Sequence, residues 1–132
     1  MGKLFTRKIF QLSRRSTILL AMDLHLAKKL LNGRSFLSME SKTNLHARID
    51  GVMIRYYSTD ILHFKKDGSI VINTHGRQSA TTKKRINAYL PKPFAIIQIS
   101  GSWYWNTGKP FKDGDKIKSG RIVSAYKKCL DI

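Results

Sequence analysis

Ile54-Arg55-Tyr56-Tyr57-Ser58-Thr59-Asp60-Ile61-Leu62-His63-Phe64, a break at Lys66-Asp67-Gly68, and then Ser69-Ile70-Val71-Ile72-Asn73-Thr74 decide how this chain folds. Asp-Gly between two runs rich in β-branched and aromatic residues is a hairpin signal. A two-residue turn at Asp67-Gly68 would pair Phe64 with Val71 and Leu62 with Asn73, mixing apolar and polar side chains on one face. A three-residue turn, with Gly68 left-handed, pairs Phe64 with Ile70 and Leu62 with Ile72. Leu62, Phe64, Ile70 and Ile72 then share one face, and Ile61, His63, Val71 and Asn73 take the other. A one-residue slip inverts every side chain, so the buried face selects the longer turn.

A polar run from Gly76 leads into a short basic helix ending near Leu90. Ser79 or Thr81 supplies its cap and Pro91 stops it. Ile86, Tyr89 and Leu90 form a narrow apolar stripe, outside which lie Lys83, Lys84 and Arg85. A basic first turn opposes the helix dipole, and a bound anion would relieve that conflict.

The second Asp-Gly, Asp50-Gly51, predicts another reversal between Leu45–Ile49 and Val52–Tyr57, with Val52, Ile54 and Tyr56 on one face. Phe94–Ile99, Ser100-Gly101 and Ser102–Trp105 read as a further hairpin, Trp103 and Trp105 sharing a face. Arg34–Asn44 is polar and reads as a loop; Asn106–Gly120, carrying Gly108, Pro110, Gly114 and Gly120, reads as loop-rich. Ile122–Tyr126 is a final edge strand guarded by Lys127 and Lys128.

Upstream, Ser16–Asn32 reads as one long helix ended by Gly33, with Leu19, Leu20, Leu24, Leu26, Ala27, Leu30 and Leu31 on a broad face. Asp23 falls within that face. An unpaired buried carboxylate is very costly, so Asp23 is better read as the N-cap of a shorter helix beginning at Leu24 than as a buried partner of an arginine. Residues 1–15 carry five basic residues and no acid, with Arg7, Lys8, Arg14 and Arg15 the candidate contacts of a basic arm. The same composition fits a mitochondrial-type transit peptide, a nucleic-acid-binding arm, or a surface helix whose Phe5, Ile9 and Leu12 join the core.

The whole is expected to be one α+β domain over residues 16–132: an antiparallel sheet of five to six strands built from hairpins, a long N-terminal helix, and the short basic helix between hairpins. The chain has 132 residues, 25 Lys and Arg against 8 Asp and Glu, and a net charge of +17. That balance bears on partners, with nucleic acid first and an anionic membrane surface second. A single cysteine, Cys129, excludes an internal disulfide and suits a reducing compartment. His25, His46, His63 and His75 show no metal-ligand spacing, and Thr17–Leu31, the most apolar segment, is interrupted by charge. No metal or cofactor is expected. The expected location is the cytoplasm, that of the host if the chain is phage-encoded, with the mitochondrion as the alternative should residues 1–15 be a transit peptide.

Thr59-Asp60-Ile61, Asp67-Gly68-Ser69-Ile70, Thr81-Thr82-Lys83-x-Arg85-Ile86-Asn87, Trp103-Tyr104 and Pro110-Phe111-Lys112-Asp113-Gly114 occur in that order. In this the chain resembles a family of small uncharacterised proteins from bacteriophages and bacteria, over roughly Ile54 to Gly114. The resemblance implies a bacteriophage or bacterial origin and carries no activity with it.

For nucleic acid, Arg55, Arg77, Lys83, Lys84 and Arg85 are expected to line one side, with Tyr57 and Trp103 or Trp105 as stacking surfaces. Each tryptophan taken singly is more often core than platform. Lacking a helix-turn-helix or zinc finger, the chain fits single strands or structured RNA better than duplex readout. Gly76–Lys83 has a glycine, hydroxyls and a lysine at a helix start but not the spacing of a nucleotide-binding P-loop. Asp60, His63 and His75 are the only catalytic candidates, and the scattered acids argue against an enzyme. The competing roles are a phage-encoded inhibitor that binds a host or defence complex, and a ribonucleoprotein or ribosomal component.

Overall fold

The computed structural model describes residues 22–125. The basic arm at 1–15, the first part of the expected long helix, Lys127, Lys128 and Cys129 lie outside the described residues. Helix α1 spans Leu24–Leu31, with Asp23 as its N-cap accepting the Leu26 N–H at 2.8 Å. The apolar run therefore does not form one helix through Asp23 to Asn32: the carboxylate that would be costly inside the helix starts a shorter one instead. Asn32 ends α1 in the left-handed conformation.

Among the described residues nine strands follow: β1 (Phe36–Glu40), β2 (Thr43–Arg48), β3 (Gly51–Tyr56), β4 (Thr59–Lys65), β5 (Ile70–Ile72), β6 (Ile96–Ile99), β7 (Ser102–Trp105), β8 (Lys116–Lys118) and β9 (Arg121–Val123). Helix α2, Ala80–Tyr89, lies between β5 and β6 and is capped by Ser79. The main sheet has seven strands in the order β1-β2-β3-β4-β5-β8-β9, every pairing antiparallel, and β6-β7 form a separate two-stranded sheet. The expected five to six strands fall short for two reasons. β1 is an edge strand with no fully buried residue, inside the segment expected to be a loop. β8 is a three-residue strand with only Ile117 buried, in the segment expected to be loop-rich.

The β4–β5 hairpin has the three-residue turn: Phe64 pairs with Ile70, Leu62 with Ile72, and Gly68 has a φ of 89°. One face assignment changes. The register shifts between Ile54 and Arg55, so β4 carries an extra residue, and Ile61 is buried with Leu62 rather than standing on the polar face. The Asp50-Gly51 reversal also moves by one residue: Arg48 pairs with Gly51, leaving Ile49 and Asp50 at the tip.

One face of the seven-stranded sheet holds Leu45, Val52, Ile54, Leu62, Phe64, Ile70, Ile72 and Ile117, all in the core cluster. Ala27, Leu30 and Leu31 of α1 and Ile86 and Tyr89 of α2 join that cluster, together with Trp103 and Trp105. Both helices and the β6–β7 hairpin thus cover the same side. A backbone bond from Met22 N–H to Tyr89 C=O, 3.1 Å, joins the approach to α1 to the end of α2.

Candidate functional site

Because side chains alternate across a strand, the pairings also fix what stands on the other face. Phe36, His46, Met53, His63, Val71, Lys116 and Val123 are successive partners, one from each strand, forming a single row across the sheet. At about 4.8 Å per strand the row is about 29 Å long. A second row is made of Arg48, Gly51 and Lys65 on three adjacent strands and continues with the Lys118–Arg121 pair. Toward the other end of the strands stand Ser38, Asn44, Arg55 and Asp60. Apart from Gly51, every residue of these rows is half-buried or exposed, so among the described residues no helix or strand lies on this face.

The strands place six cations on this open face (Arg48, Arg55, Lys65, Lys116, Lys118 and Arg121) and one carboxylate, Asp60. Asp50 and Asp67 reach its margin from the turns: Asp50 Oδ1 lies 3.0 Å from His63 Nε2, and Asp67 Oδ2 lies 3.6 Å from Lys118 Nζ. Asp60 takes Arg55 Nε at 2.8 Å and has Arg48 at 3.7 Å. Burial works to raise the Asp60 pKa, but the Arg55 hydrogen bond and the charges of Arg55 and Arg48 outweigh it and hold the carboxyl below its usual range. His46, edge-on to Phe36 with centroids 5.1 Å apart, has its pKa lowered by burial and by the nearby Arg55 and Arg48 charges.

At the end of the sheet where β3 turns into β4, Ser58, Thr59, Asp60, His75 and Arg77 line an open cleft of about 300 Å³. Its outer wall is the loop after β5, where His75 and Gly76 both have positive φ. Asp113 pins that loop by accepting from Thr74 N–H at 2.7 Å, Thr74 Oγ1 at 2.9 Å and Gly76 N–H at 3.2 Å. The facing turn carries Tyr57, which has a φ of 56° and is 59% exposed.

The residues expected to line one side are divided between two layers. Arg55 stands on the open face and Arg77 at the cleft, whereas Lys83, Lys84 and Arg85 belong to α2 on the covered side. Arg85 bonds Glu40 at 3.1 Å and Thr43 Oγ1 at 3.1 Å and lies 5.5 Å from the Tyr56 ring, so it braces α2 against β1, β2 and β3. Lys83 reaches Gln98 Oε1 at 3.1 Å, and Lys84 is exposed. Trp103 is 6% exposed with its ring 5.9 Å from Phe111, and Trp105 is fully buried, so neither indole offers a face for stacking. They pack inward because the β6–β7 hairpin must bury one face against the core. Asp60 is held by Arg55 and Arg48.

Arg48, Lys65, Lys116, Lys118 and Arg121 were missed because their shared face appears only once β8 and β9 are set beside β5. The alternation Lys116-Ile117-Lys118 was the one available signal.

A family model described as Kyanoviridae Gp96 protein matches residues 21–118. No curated protein and no solved structure matches the chain.

Proposed function

We propose that this chain, which belongs to the Kyanoviridae Gp96 protein family, is a non-catalytic nucleic-acid-binding protein for RNA or single-stranded DNA. The phage family agrees with the resemblance read from residues 54–114 and lends nothing to a mitochondrial address. No helix among the described residues is long and apolar enough to cross a membrane, and we place the protein's action in the host cytoplasm.

The observation that carries the proposal is the open sheet face, with six cations on its strands and, among the described residues, three carboxylates on it or at its margin. Cations gathered on one surface displace condensed counterions from a phosphate backbone, which is the main source of sequence-independent affinity. Phe36, His46, Met53 and His63, in line across β1 to β4, offer rings and a thioether against which unpaired bases can rest. A sheet face about 29 Å across suits a flexible single strand better than a groove of duplex DNA. Arg55, Arg77 and Tyr57 extend the surface to the cleft. Lys83 and Lys84 form a separate, smaller patch on the covered side, and Arg7, Lys8, Arg14 and Arg15 would add further phosphate contacts.

A second reading, docking on a host or defence protein, draws on Ile97 and Ile99, 39% and 54% exposed on β6. Titration of labelled single-stranded RNA, single-stranded DNA and duplex DNA in 50 and 200 mM salt separates the two. Nucleic-acid binding predicts association with single strands that weakens by a factor of about 300 between those salts if about six phosphates are neutralised. No association with any of the three in 50 mM salt overturns it in favour of a protein partner.

A further inference from the structure

We infer that the cleft at the β3–β4 turn is a binding site for a phosphate monoester and, resting on the reading of the open face just given, that it takes the terminal phosphate of a bound strand. Charge and donors argue together. Arg77 lines the cleft, and Arg55 and Arg48 reach its one lining carboxylate, Asp60, at 2.8 and 3.7 Å. Counting these groups, three guanidiniums against Asp60 leave a surplus of two positive charges on the cleft side, the Asp113 carboxylate being turned to Thr74 and Gly76 of the loop behind it. A phosphate monoester carries roughly −1.5 to −2 at neutral pH and matches that surplus; an internal phosphodiester carries a single charge and leaves half of it unmet.

Arg77 is the cation free to respond. No carboxylate lies within ion-pair distance of it among the described residues, whereas Arg55 and Arg85 each hold an acid. Its planar fork can grip two phosphate oxygens together. Ser58 and Thr59 line the opposite wall with hydroxyls, and His75 adds a ring nitrogen. The walls are set before any ligand arrives, since Asp113 ties down the loop that carries His75 and Arg77, so little ordering cost falls on binding. Tyr57, next in the chain to Ser58 of the cleft wall, is exposed and offers a ring for a terminal base.

The test compares one single-stranded oligonucleotide with a 5′-phosphate, with a 3′-phosphate and with hydroxyl ends, alongside adenosine monophosphate and inorganic phosphate. Each is titrated against the full chain, Arg77→Ala and Lys84→Ala. The expected result is tighter binding of one phosphorylated end by about tenfold, the size of one charge-assisted hydrogen bond. Arg77→Ala loses that preference yet still binds the hydroxyl-ended strand, and Lys84→Ala keeps it. Hydroxyl-ended and phosphorylated strands binding equally would overturn the inference and leave the open-face reading standing. Adenosine monophosphate or phosphate binding in an Arg77-dependent way, with no strand bound, would keep the monoester site and overturn its link to a strand. A preference that survives Arg77→Ala overturns the assignment of the cleft.

Discussion

Gly51 sits in β3 where a side chain has no room: a Cβ built there would lie 1.8 Å from the Phe64 carbonyl oxygen. The Asp50-Gly51 pair is thus legible as a reversal, but its glycine serves the close approach of β3 and β4 rather than the tip of the turn. Gly51→Ala must push two central strands apart, and we expect it to cost at least about 3 kcal/mol, read as a fall in the midpoint of chemical denaturation. Wild-type stability in that variant would show that the strands can separate cheaply. Asp115, fully buried, accepts from Trp105 Nε1 at 3.0 Å, Lys112 N–H at 3.0 Å and Ala125 N–H at 2.8 Å. Its removal strands three donors at once, so Asp115→Ala should lose about 3 kcal/mol or more, visible in thermal unfolding. Nothing in the sequence around Asp115 identifies it, because its partner indole belongs to another hairpin.

Turns and caps show how far local chemistry reaches at the scale of the element. Asp67 Oδ1 accepts from Ser69 N–H at 2.9 Å and Ser69 Oγ at 2.6 Å, closing the β4–β5 turn. These two bonds, with Lys118 nearby, pull the Asp67 pKa down to about 2. A carboxylate depressed in the folded state contributes stability above its unfolded pKa of 3.8 and loses it as pH falls toward 2. Between about pH 4 and pH 2 the melting temperature of Asp67→Asn should therefore decline less steeply than that of the wild type; parallel curves would rule the linkage out. This turn, the Asp23 and Ser79 caps and the Ser100-Gly101 hairpin were readable because each is settled within a few residues. β1 and β8 were not: β1 is an edge strand with no fully buried residue and β8 is three residues long with one, so only their neighbours define them. The bulge that buries Ile61 is likewise a property of the β3–β4 pair, invisible in β4 alone.

Taken whole, the molecule has a covered side and an open one, and the charge matters by where this division places it. Composition pointed to a polyanion but could not say which of the 25 basic residues share a surface. The reading that grouped Arg55 with Arg85 failed because the two stand in different layers, Arg85 being held by Glu40. Trp103 looked available because an indole beside cations fits both core and platform until the hairpin is seen packed. His46 ties the open face to pH. Its folded pKa is depressed by burial and by Arg55 and Arg48, so its contribution is present above the unfolded value of 6.5 and falls away as pH drops below it. His46→Gln should flatten the decline in stability just below that pH, measured by denaturant titrations at pH 7.5 and 5.5, and an unchanged decline would assign it elsewhere. We expect the open face, not the helix layer, to meet the phosphates. The most direct test is fluorescence anisotropy with a labelled single strand in 50 mM salt, comparing Lys65→Glu/Arg121→Glu with Lys83→Glu/Lys84→Glu. The open-face pair should weaken binding at least about tenfold and reduce the salt slope by roughly one, while the helix pair stays close to wild type. Equal losses from both pairs, or a greater loss from the helix pair, would contradict the account.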